Sequence, residues 1–397
     1  MLSHCLPMPR HPGAAAEHCQ CSLVKRTFKT RDAFALNSQA LSVPAMSGPN
    51  AKTPLNIVFG AMTVGAPETK ADGARVTEVA DVAAMLDAFT ARGHVEVDTA
   101  RLYCKGTSEE LLAKADWKSK GILMETKLYP TRNALRLRHL LDDATIQQLT
   151  KGGISHTPED LRKHIALSLE ALKTDCLEIF YLHGPDRDTP YEDTLKTVDE
   201  LYRDGKFKRF GISNYAAWEV AEMVGICRAN NYIQPTVYQG VYNAIQRSAE
   251  PELFPALRKF GIAFYEFSPL AGGFFTGKYA SMESEAAAGS RMNPDNLPGK
   301  SMRARYWNES AFAALAAIRP VIEKHGLTMA EVGLRWVAHH SQLKREHGDA
   351  IIIGASSLSQ LNANLDDLEK GPLPEDVLPA LDEAWAIVKG SAMSYFH

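Results

Sequence analysis

The sequence lacks the features that mark disulfide-stabilised, metal-binding and membrane-spanning proteins. It has six cysteines in 397 residues and no Cys-x-x-Cys pair, which is too few for a disulfide framework and favours a reducing compartment. It has no His-Glu-x-x-His motif and no His and Cys residues with the spacing of a zinc site, so we predict no metal. No apolar run approaches the ~20 residues that span a bilayer, and no membrane segment is predicted.

The chain also lacks an excess of charge of either sign. Lys and Arg number 44 and Asp and Glu 47, which gives a formal net charge of −3. Such a balance produces no global field that would attract nucleic acid or anionic lipid, so neither is expected as a partner. The 45% of hydrophobic and 23% of charged residues are typical of a globular chain and exclude collagen, coiled coil and disorder over the whole length.

The first 51 residues differ in composition from the rest of the chain. They contain only two acids, Glu17 and Asp32. Their basic residues are Arg10, Lys25, Arg26, Lys29 and Arg31. This composition is typical of an organelle transit segment or of a disordered extension, with Met46 as an alternative first residue. We therefore expect residues 52–397 to form the folded domain, in the cytoplasm, or in mitochondria or plastids if residues 1–51 are a transit segment.

From residue 55 onward, short apolar runs alternate with helical patterns. The runs, which we predict to be strands, are Asn56–Met62, His94–Ala100, Ile122–Lys127, Cys176–His183, Arg209–Ser213, Pro235–Gly240, Gly261–Leu270 and Ala350–Ser356. Between them apolar residues recur at helical spacing, as at Leu161, Ile165 and Leu169, and Thr157-Pro158 is a helix start signal. Eight β-then-α units predict a (β/α)8 TIM barrel, an α/β fold of typically ~250 residues before insertions.

A doubly wound α/β sheet is the alternative architecture for this pattern. Such a sheet would carry Gly-x-Gly-x-x-Gly after its first strand, whereas residues 60–65 of this chain read GAMTVG. The barrel is therefore the predicted fold. Its excess length lies in Thr131–Ser155, after the third strand, and in Tyr279–Asn308, after the seventh.

Polar residues end several predicted strands, and a barrel brings these ends to one rim, where its catalytic groups lie. Asp98, Lys127 and His183 end the second, third and fourth strands, and Tyr103 follows Asp98 by five residues. Asp and Lys at the ends of apolar strands are unfavourable unless they are paired or lie at a site. We call these four residues the tetrad. The fifth and sixth strands also end in polar residues, Ser213, Asn214 and Gln239.

The tetrad suits proton transfer to a carbonyl oxygen. A phenol has a reference pKa near ~10 and an ammonium within ~4–6 Å lowers it, so Lys127 is expected to lower the pKa of Tyr103. Asp98 would keep the ammonium charged and aimed, and His183 would orient the carbonyl oxygen. We therefore predict Tyr103 as the general acid of a reaction in which a hydride reaches the carbonyl carbon.

Six phrases of the sequence occur in a fixed order between about residue 55 and the C-terminus. They are Val97-Asp98-Thr99-Ala100-Arg101-Leu102-Tyr103, Glu125-Thr126-Lys127, Tyr181-Leu182-His183, Gly211-Ile212-Ser213-Asn214-Tyr215, Val237-Tyr238-Gln239-Gly240 and Ser268-Pro269-Leu270-Ala271-Gly272-Gly273. Together they resemble the aldo-keto reductase superfamily, most closely its aflatoxin-aldehyde and succinic-semialdehyde reductase branch.

The resemblance implies a TIM barrel that binds NADPH, with Tyr103 as the general acid, Asp98 and Lys127 tuning it, and His183 orienting the carbonyl. It also implies a cofactor site with three parts. The nicotinamide would meet Asp98, Ser213, Asn214 and Gln239, with Phe267 stacked on its ring. The pyrophosphate would meet Ser268, Pro269, Leu270, Ala271, Gly272, Gly273 and Lys278, and the adenosine phosphate would meet Ser356, Gln360 and Asn364. Many relatives place Lys or Arg where this chain has Ala355 and Gln360, which leaves NADPH or NADH open as the preferred cofactor.

One competing motif lies inside this region. Residues 272–278 satisfy Gly-x-x-x-x-Gly-Lys, which would suggest a P-loop ATPase. The next residue is Tyr279 rather than Ser or Thr, and Phe274 and Phe275 are poor lining for a phosphate cradle. The ATPase interpretation is therefore set aside, although the Gly and Lys residues still suit a phosphate.

The resemblance also implies a substrate side of the site. Relatives hold a substrate carboxylate with an Arg after strand seven and another at the C-terminus, so Arg303, Arg305 and the final His397 are predicted to contact substrate. Because imidazole has a reference pKa near ~6.5, His397 is expected to be mostly neutral at pH 7.5 and charged at pH 6. Selectivity for a carboxylated aldehyde would then rise as the pH falls.

The function predicted from the sequence is reduction of a small aldehyde or dicarbonyl. The alternative is a regulatory subunit of the same fold that holds NADPH and turns over slowly, like the barrel subunits of some potassium channels. The intact tetrad favours the reductase, and the sequence leaves a homodimer open.

Overall fold

The eight predicted strands form a closed barrel. The computed structural model of the chain describes residues 52–132, 143–287, 289–295 and 297–397. Its strands are β1 (Asn56–Gly60), β2 (Glu96–Asp98), β3 (Leu123–Leu128), β4 (Leu177–Leu182), β5 (Phe207–Ser213), β6 (Val237–Val241), β7 (Ala263–Phe267) and β8 (Ala350–Gly354). All are parallel and pair in chain order, and β8 pairs back to β1. The (β/α)8 TIM barrel is thus confirmed, and the predicted extension, residues 1–51, lies outside the described residues.

Helices connect consecutive strands. Those in the described residues are α1 (Val79–Ala91), α2 (Thr107–Lys114), α3 (Asp143–Thr150), α4 (Pro158–Ala171), α5 (Tyr191–Arg203), α6 (Ala217–Asn230), α7 (Leu253–Phe260), α8 (Leu297–Tyr306), α9 (Glu309–Lys324), α10 (Met329–His339), α11 (Leu358–Leu368) and α12 (Leu378–Val388). Short 3-10 turns cover Pro67–Asp72, Tyr103–Gly106, Ala271–Thr276, Arg345–His347 and Glu375–Val377. Within this part of the chain, every helix is too short or too polar to cross a bilayer.

The helix α4 shows how local sequence sets these elements. Its N-cap is Thr157, whose side chain accepts a hydrogen bond from the backbone N–H of Asp160, and Pro158 is its first residue. Leu161 and Ile165 lie four residues apart and are buried on the same helix face. The predicted start signal and apolar spacing therefore mark a helix that packs one face on the barrel.

The core has two layers because side chains along a strand alternate between its two faces. The inner layer fills the barrel with Val58, Ile179, Tyr181, Val237, Ala263, Tyr265, Ala350 and Ile352. The outer layer lies between the strands and the helices and includes Phe264 of β7. By the same alternation, Glu266 of β7 lies on the outer face and Phe267 on the inner face.

The two segments of excess length contain helices of their own. The segment after β3 contains α3, and the segment after β7 contains α8. Arg291 and Arg305 of the second segment line a cavity at the carboxyl ends of the strands. This insertion therefore forms one wall of the candidate site.

Candidate active site

A cavity of about 650 Å³ lies where the carboxyl ends of the strands meet. Most of the residues singled out from the sequence line it: Asp98, Tyr103, His183, Asn214, Gln239, Phe267, Ser268, Pro269, Leu270, Gly272, Gly273, Lys278, Arg305, Ser356, Gln360, Asn364 and His397. Lys127 lies beneath the cavity floor, while Ser213, Ala271 and Arg303 do not reach the cavity surface. The fold therefore brings residues that are distant in sequence to one rim.

Lys127 and Asp98 form an ion pair beneath the cavity floor. The Lys127 Nζ lies 2.6 Å from each carboxylate oxygen of Asp98 and donates to the carbonyl oxygen of Thr99 at 2.8 Å. Gln239 Nε2 donates to Asp98 Oδ1 at 2.9 Å, so β3 and β6 both hold this carboxylate. Although burial disfavours the ammonium, the charge of Asp98 and its hydrogen bonds raise the pKa of Lys127 above its usual value. The ammonium is therefore charged and fixed in position.

Tyr103 lies against this ammonium, with Lys127 Nζ 4.9 Å from the centre of the Tyr103 ring. Three successive residues with positive φ follow the tyrosine, and they end at Gly106, where φ is 91°. A φ of 91° is strained for any residue that has a Cβ atom, so this turn requires glycine. The turn sets the direction of the chain immediately after the phenol.

Lys127 acts on the pKa of Tyr103 in the predicted direction, but a larger effect of burial opposes it. Burial of the phenol raises the pKa of Tyr103 above its usual value, and Lys127 opposes that rise without cancelling it. Asp98, which neutralises the ammonium, adds to the rise. The phenol is therefore protonated at neutral pH, which is the form that a proton donor needs.

His183 lies edge-on to the Tyr103 ring, with ring centres 5.9 Å apart and planes at 80°. Its backbone N–H donates to the carbonyl oxygen of Leu128 at 2.9 Å, and Asn214 Nδ2 donates to its carbonyl oxygen at 3.0 Å. Burial, followed by the charge of Lys127, lowers the pKa of His183 well below its usual value. The imidazole is therefore neutral and carries one N–H, which suits a hydrogen bond to a carbonyl oxygen.

One arm of the cavity follows the segment after β7. Phe267 ends the strand, and a 3-10 turn follows in which φ is 65° at Gly272 and 98° at Gly273. A Cβ atom at Gly272 would collide with Met302 Sδ, whereas one at Gly273 would meet no atom within 4 Å. The N–H of Gly273 donates to the carbonyl oxygen of Leu270 at 2.8 Å and closes the turn. Glycine at these positions leaves no side chain over the turn, so a phosphate group could approach the backbone closely.

Two residues predicted to touch the cofactor are covered by their neighbours. Ser213 is buried beneath Asn214, whose Nδ2 donates to Ser213 Oγ at 2.9 Å. Ala271 is fully buried in the turn after β7 and packs in the outer core. In the structure both residues therefore lie behind the cavity surface, and their cofactor contacts stay predictions.

The far end of the same arm lies at the N-terminus of α11. Gln360 Oε1 accepts hydrogen bonds from the backbone N–H of Ser356 at 2.7 Å and from Ser356 Oγ at 2.9 Å. Asn364 Nδ2 donates to the carbonyl oxygen of Gly354 at 3.2 Å. The N-terminus of a helix carries the positive end of the helix dipole, which favours an anionic group here.

Arg291 is a cavity residue that sequence reasoning missed. It belongs to the insertion after β7, and its charge is felt by Tyr103 and by the nearby Arg75 and Arg305. Its Nη2 reaches Met62 Sδ at 2.7 Å, and no carboxylate of a described residue pairs with it. A guanidinium without a counter-ion at a cavity suits an anionic ligand. Irregular loops have no periodicity that would have singled this residue out.

Tyr129 is a second residue that was missed. It follows Lys127 by two positions at the end of β3 and lines the cavity. Its ring is edge-on to His183 at 5.5 Å, and its Oη lies 3.0 Å from His397 Nε2. Residues two apart on a strand lie on the same face, and this alternation would have identified it.

His397 lines the cavity, but its expected titration near neutral pH is wrong. Burial, with smaller effects from the charges of Arg305 and Arg187, lowers the pKa of His397 to about 3. The imidazole is therefore neutral at both pH 7.5 and pH 6. The sequence expectation assumed the exposure to water that an unperturbed histidine has.

Only one of the two arginines predicted from α8 faces the cavity. Residues two apart on a helix point about 200° apart, so Arg303 and Arg305 lie on opposite sides. Arg305 lines the cavity. The Cζ of Arg303 lies 3.8 Å from the centre of the Trp307 ring, and its Nε donates to the carbonyl oxygen of Met292 at 2.7 Å. The predicted substrate contact of Arg303 is therefore corrected to an anchor within the insertion.

These groups suit the parts of a dinucleotide cofactor. The cavity is lined by the amides of Asn214 and Gln239, by the aromatic ring of Phe267 and by the cations of Lys278 and Arg291. Aromatic faces suit a flat ring and guanidinium groups suit phosphates. Among the described residues, no three His, Cys, Asp or Glu side chains come together as metal ligands would.

Comparison with known proteins gives matches across the barrel. Residues 56–386 match the model of the aldo/keto reductase family. An aldo-keto reductase of Pseudocercospora fijiensis (strain CIRAD86) is 48% identical over 312 residues, which are 79% of this chain and 100% of the relative. Aldo-keto reductase family 7 member A3 of Homo sapiens is 40% identical over 347 residues, 85% of this chain and 96% of the relative. Aflatoxin B1 aldehyde reductase member 2 of Mus musculus is 40% identical over 322 residues, 79% and 82% of the two chains.

Proposed function

The chain belongs to the aldo/keto reductase family, and from this premise we propose that it uses NADPH to reduce small aldehydes and dicarbonyls to alcohols, with Tyr103 as the proton donor. One observation carries the proposal. Tyr103 lies in the cavity against the ammonium of Lys127, and Asp98 holds that ammonium charged at 2.6 Å.

The arm of the cavity after β7 would hold the cofactor. Asn214 and Gln239 offer amide groups to the carboxamide of the nicotinamide, and Phe267 offers an aromatic face to its ring. Lys278 and Arg291 offer positive charge to the phosphates. When bound, the dinucleotide supplies the hydride that the carbonyl carbon accepts.

Tyr103 supplies the proton. Its Oη is protonated at neutral pH because burial raises its pKa, so it donates to the carbonyl oxygen as negative charge develops there. The phenolate that this transfer leaves lies beside the ammonium of Lys127, which stabilises it. Asp98 keeps that ammonium in place throughout.

His183 orients the substrate. Its neutral imidazole has one N–H to give and lies edge-on to the Tyr103 ring. A hydrogen bond from this group and one from the phenol would fix the carbonyl oxygen between them. A neutral donor does this without competing for the proton that the phenol gives.

The side of the cavity that Arg305 and His397 line favours uncharged substrates or those with one negative charge. Arg305 lines it, and no carboxylate of a described residue pairs with this side chain. His397, which stands where relatives place a second arginine, is neutral and bonded to Tyr129. One cation rather than two would therefore meet a substrate carboxylate.

The test is steady-state consumption of NADPH by the purified chain with a small straight-chain aldehyde. Sustained turnover with formation of one alcohol per NADPH is the expected result, and NADH run in parallel measures the cofactor preference. Tight NADPH binding with no sustained turnover would instead identify a regulatory binding subunit and would refute the reductase.

A further inference from the structure

Below the tetrad, the barrel interior holds more carboxyl groups than cations. Glu96 and Glu125 are fully buried, and Asp98 is nearly so. The cations here are Lys127 and Arg209. Asp98 neutralises Lys127. Burial disfavours the guanidinium of Arg209, but Tyr265 and then the charge of Glu96 outweigh this and raise the pKa of Arg209. Glu125 is left without a cation of its own.

Glu96 has the donors that an ionised carboxylate needs. Asn56 Nδ2 donates to Glu96 Oε1 at 2.6 Å, and Tyr265 Oη donates to Glu96 Oε2 at 3.0 Å. Arg209 Nη1 in turn donates to Tyr265 Oη at 3.3 Å, which links the guanidinium to this carboxylate. Glu96 therefore carries the negative charge of the lower layer.

Glu125 has too few donors to be ionised. Tyr181 Oη donates to its Oε2 at 2.9 Å, whereas its buried Oε1 accepts from no donor among the described residues. Glu96 lies on the neighbouring strand β2, two residues before the Asp98 that pairs in register with Glu125, and both glutamates are buried. Two ionised carboxylates are acceptors only and cannot bond to each other. One proton held between the two carboxyl groups gives each of them a hydrogen bond. Burial, and then the charge of Glu96, raises the pKa of Glu125 well above its usual value, which agrees with this arrangement.

We propose that Glu125 is a positioning residue that keeps its proton, shared with Glu96, and so leaves Lys127 free of a competing anion when Tyr103 gives up its own proton. This role rests on the proposed function, whereas the proton itself does not. The titratable groups that act on Glu125 are Glu96 and Asp98 from β2, Lys127 from β3, Tyr181 from β4 and Tyr265 from β7. Arg209 from β5 and the uncharged Asn56 from β1 act on its neighbour Glu96.

The proposed pair has a clear electrostatic effect. Glu125 lies two residues before Lys127 on β3, and its charge would act on the ammonium directly. An ionised Glu125 would be a second anion beside Lys127 and would make the phenolate of Tyr103 harder to form. A protonated Glu125 avoids this competition.

The first measurement locates the proton by infrared spectroscopy of the full chain. A protonated carboxyl has a C=O stretching band that shifts in deuterated water, and we expect Glu125→Gln to remove one component of that band at pH 7. Glu266→Gln is the matched control, since Glu266 is a buried acid on the outer face of β7 whose oxygens have no partner in the described residues. It should remove a different component. A Glu125→Gln spectrum that retains every wild-type component would overturn the proposal.

The second measurement is the pH profile of kcat/KM for aldehyde reduction. In Glu96→Gln the remaining carboxyls equal the cations in number, so Glu125 should ionise and its infrared component should disappear. The alkaline limb should then move up by about one pH unit, because the weaker acid Tyr103 holds its proton longer. Glu266→Gln should leave the limb where it is.

The double variant Glu96→Gln with Glu125→Gln separates charge from damage. Structural damage from two neighbouring changes would accumulate, whereas a charge effect is cancelled when the second carboxyl is removed. The pair carries one negative charge in the wild type and none in the double variant, so we expect the alkaline limb of the double variant to lie at or below the wild-type pH. A limb that does not move in Glu96→Gln, or that stays raised in the double variant, refutes the positioning role. Absence of any turnover with the Glu125 infrared component intact would instead refute the proposed function and leave the shared proton established.

Discussion

The floor and the insertion wall of the cavity differ in whether their cations are paired with a carboxylate. At the floor, which strand ends form, the buried Lys127 meets Asp98 at 2.6 Å. In the wall, which the insertion after β7 forms, Arg291 and Arg305 line the cavity and pair with no carboxylate of a described residue. The floor thus contains its own counter-charge, whereas the wall requires a ligand to supply one.

This difference separates the chemical step from binding. A paired charge at the floor is in position before substrate arrives, and such preorganised groups act on the transition state. An unpaired cation in the wall is satisfied only by a bound anion, so it acts on affinity. Substitutions at the floor should therefore lower kcat, and substitutions in the wall should raise Kd or KM.

The strongest test of the floor is Tyr103→Phe, which removes the proton donor and leaves the ring. Reduction of a small aldehyde should fall by at least ~10², the usual range of general acid catalysis. NADPH affinity, measured by fluorescence titration, should stay at the wild-type value. A rate within tenfold of wild type would show that another group donates the proton.

Lys127→Met tests whether the floor is held together by its ion pair. Breaking a buried pair leaves Asp98 without a counter-ion and typically lowers the free energy of unfolding by ~3–5 kcal/mol, which urea denaturation measures. Because the folded-state pKa of Lys127 is raised, the loss should be constant from pH 6 to 9, below the usual lysine pKa of ~10.4. Reductase activity should fall, and its residual pH profile should shift.

The matched control for that variant is Lys208→Met. Lys208 pairs with Glu178 at 2.8 Å, but its side chain is 62% exposed. An exposed pair contributes at most ~1 kcal/mol, so this variant should unfold at nearly the wild-type urea concentration. Equal losses in the two variants would mean that Lys127 is not a specially buried charge.

Arg291→Met tests the wall. Loss of a charged hydrogen-bond donor to a phosphate should weaken NADPH binding by roughly tenfold or more, with a smaller effect on kcat. Arg228→Met makes the same change of charge at an exposed side chain of α6 that bonds Gln234 and does not reach the cavity. It should leave the Kd for NADPH within about twofold of wild type. Equal weakening in both variants would point to a diffuse field rather than a contact.

The smallest expected effect concerns His397. The ratio of kcat/KM for succinic semialdehyde to that for an uncharged aldehyde should change by less than ~2-fold between pH 7.5 and pH 6, because the pKa of His397 is about 3. His397→Arg should raise this ratio several-fold at both pH values. A ratio in the natural protein that rises clearly at pH 6 would show that this imidazole titrates and that water reaches it.

The difference between the strand ends at the floor and the insertion in the wall also explains how much of the site could be predicted from the sequence. The number of strands and their apolar runs determine which residues end a strand, so Asp98, Lys127 and His183 were identified. Alternation along β3 would also have identified Tyr129. Arg291 was missed because it lies in the insertion, where no strand period applies. Arg303 was misplaced because it and Arg305 lie on opposite sides of the helix α8, and only Arg305 faces the cavity.

Burial was the other quantity that the sequence did not reveal. Tyr103 and His397 both have ordinary reference pKa values, and burial is the largest cause of the shift in each. A motif identifies which groups meet, whereas the access of water depends on every segment that covers them. Charge state was therefore the least predictable property of the site.

The pairing of β1 with β8 has a consequence for how the protein is made. Asn56 lies opposite Ala350 and Gly60 opposite Gly354, so the first strand of the barrel bonds to the last. These contacts form only after nearly the whole barrel has left the ribosome, and closing so long a loop opposes folding entropically. Until closure, β1 and β8 are open sheet edges on which other nascent chains can add strands. The longer this final pairing takes, the longer these edges stay open to pairing with another chain.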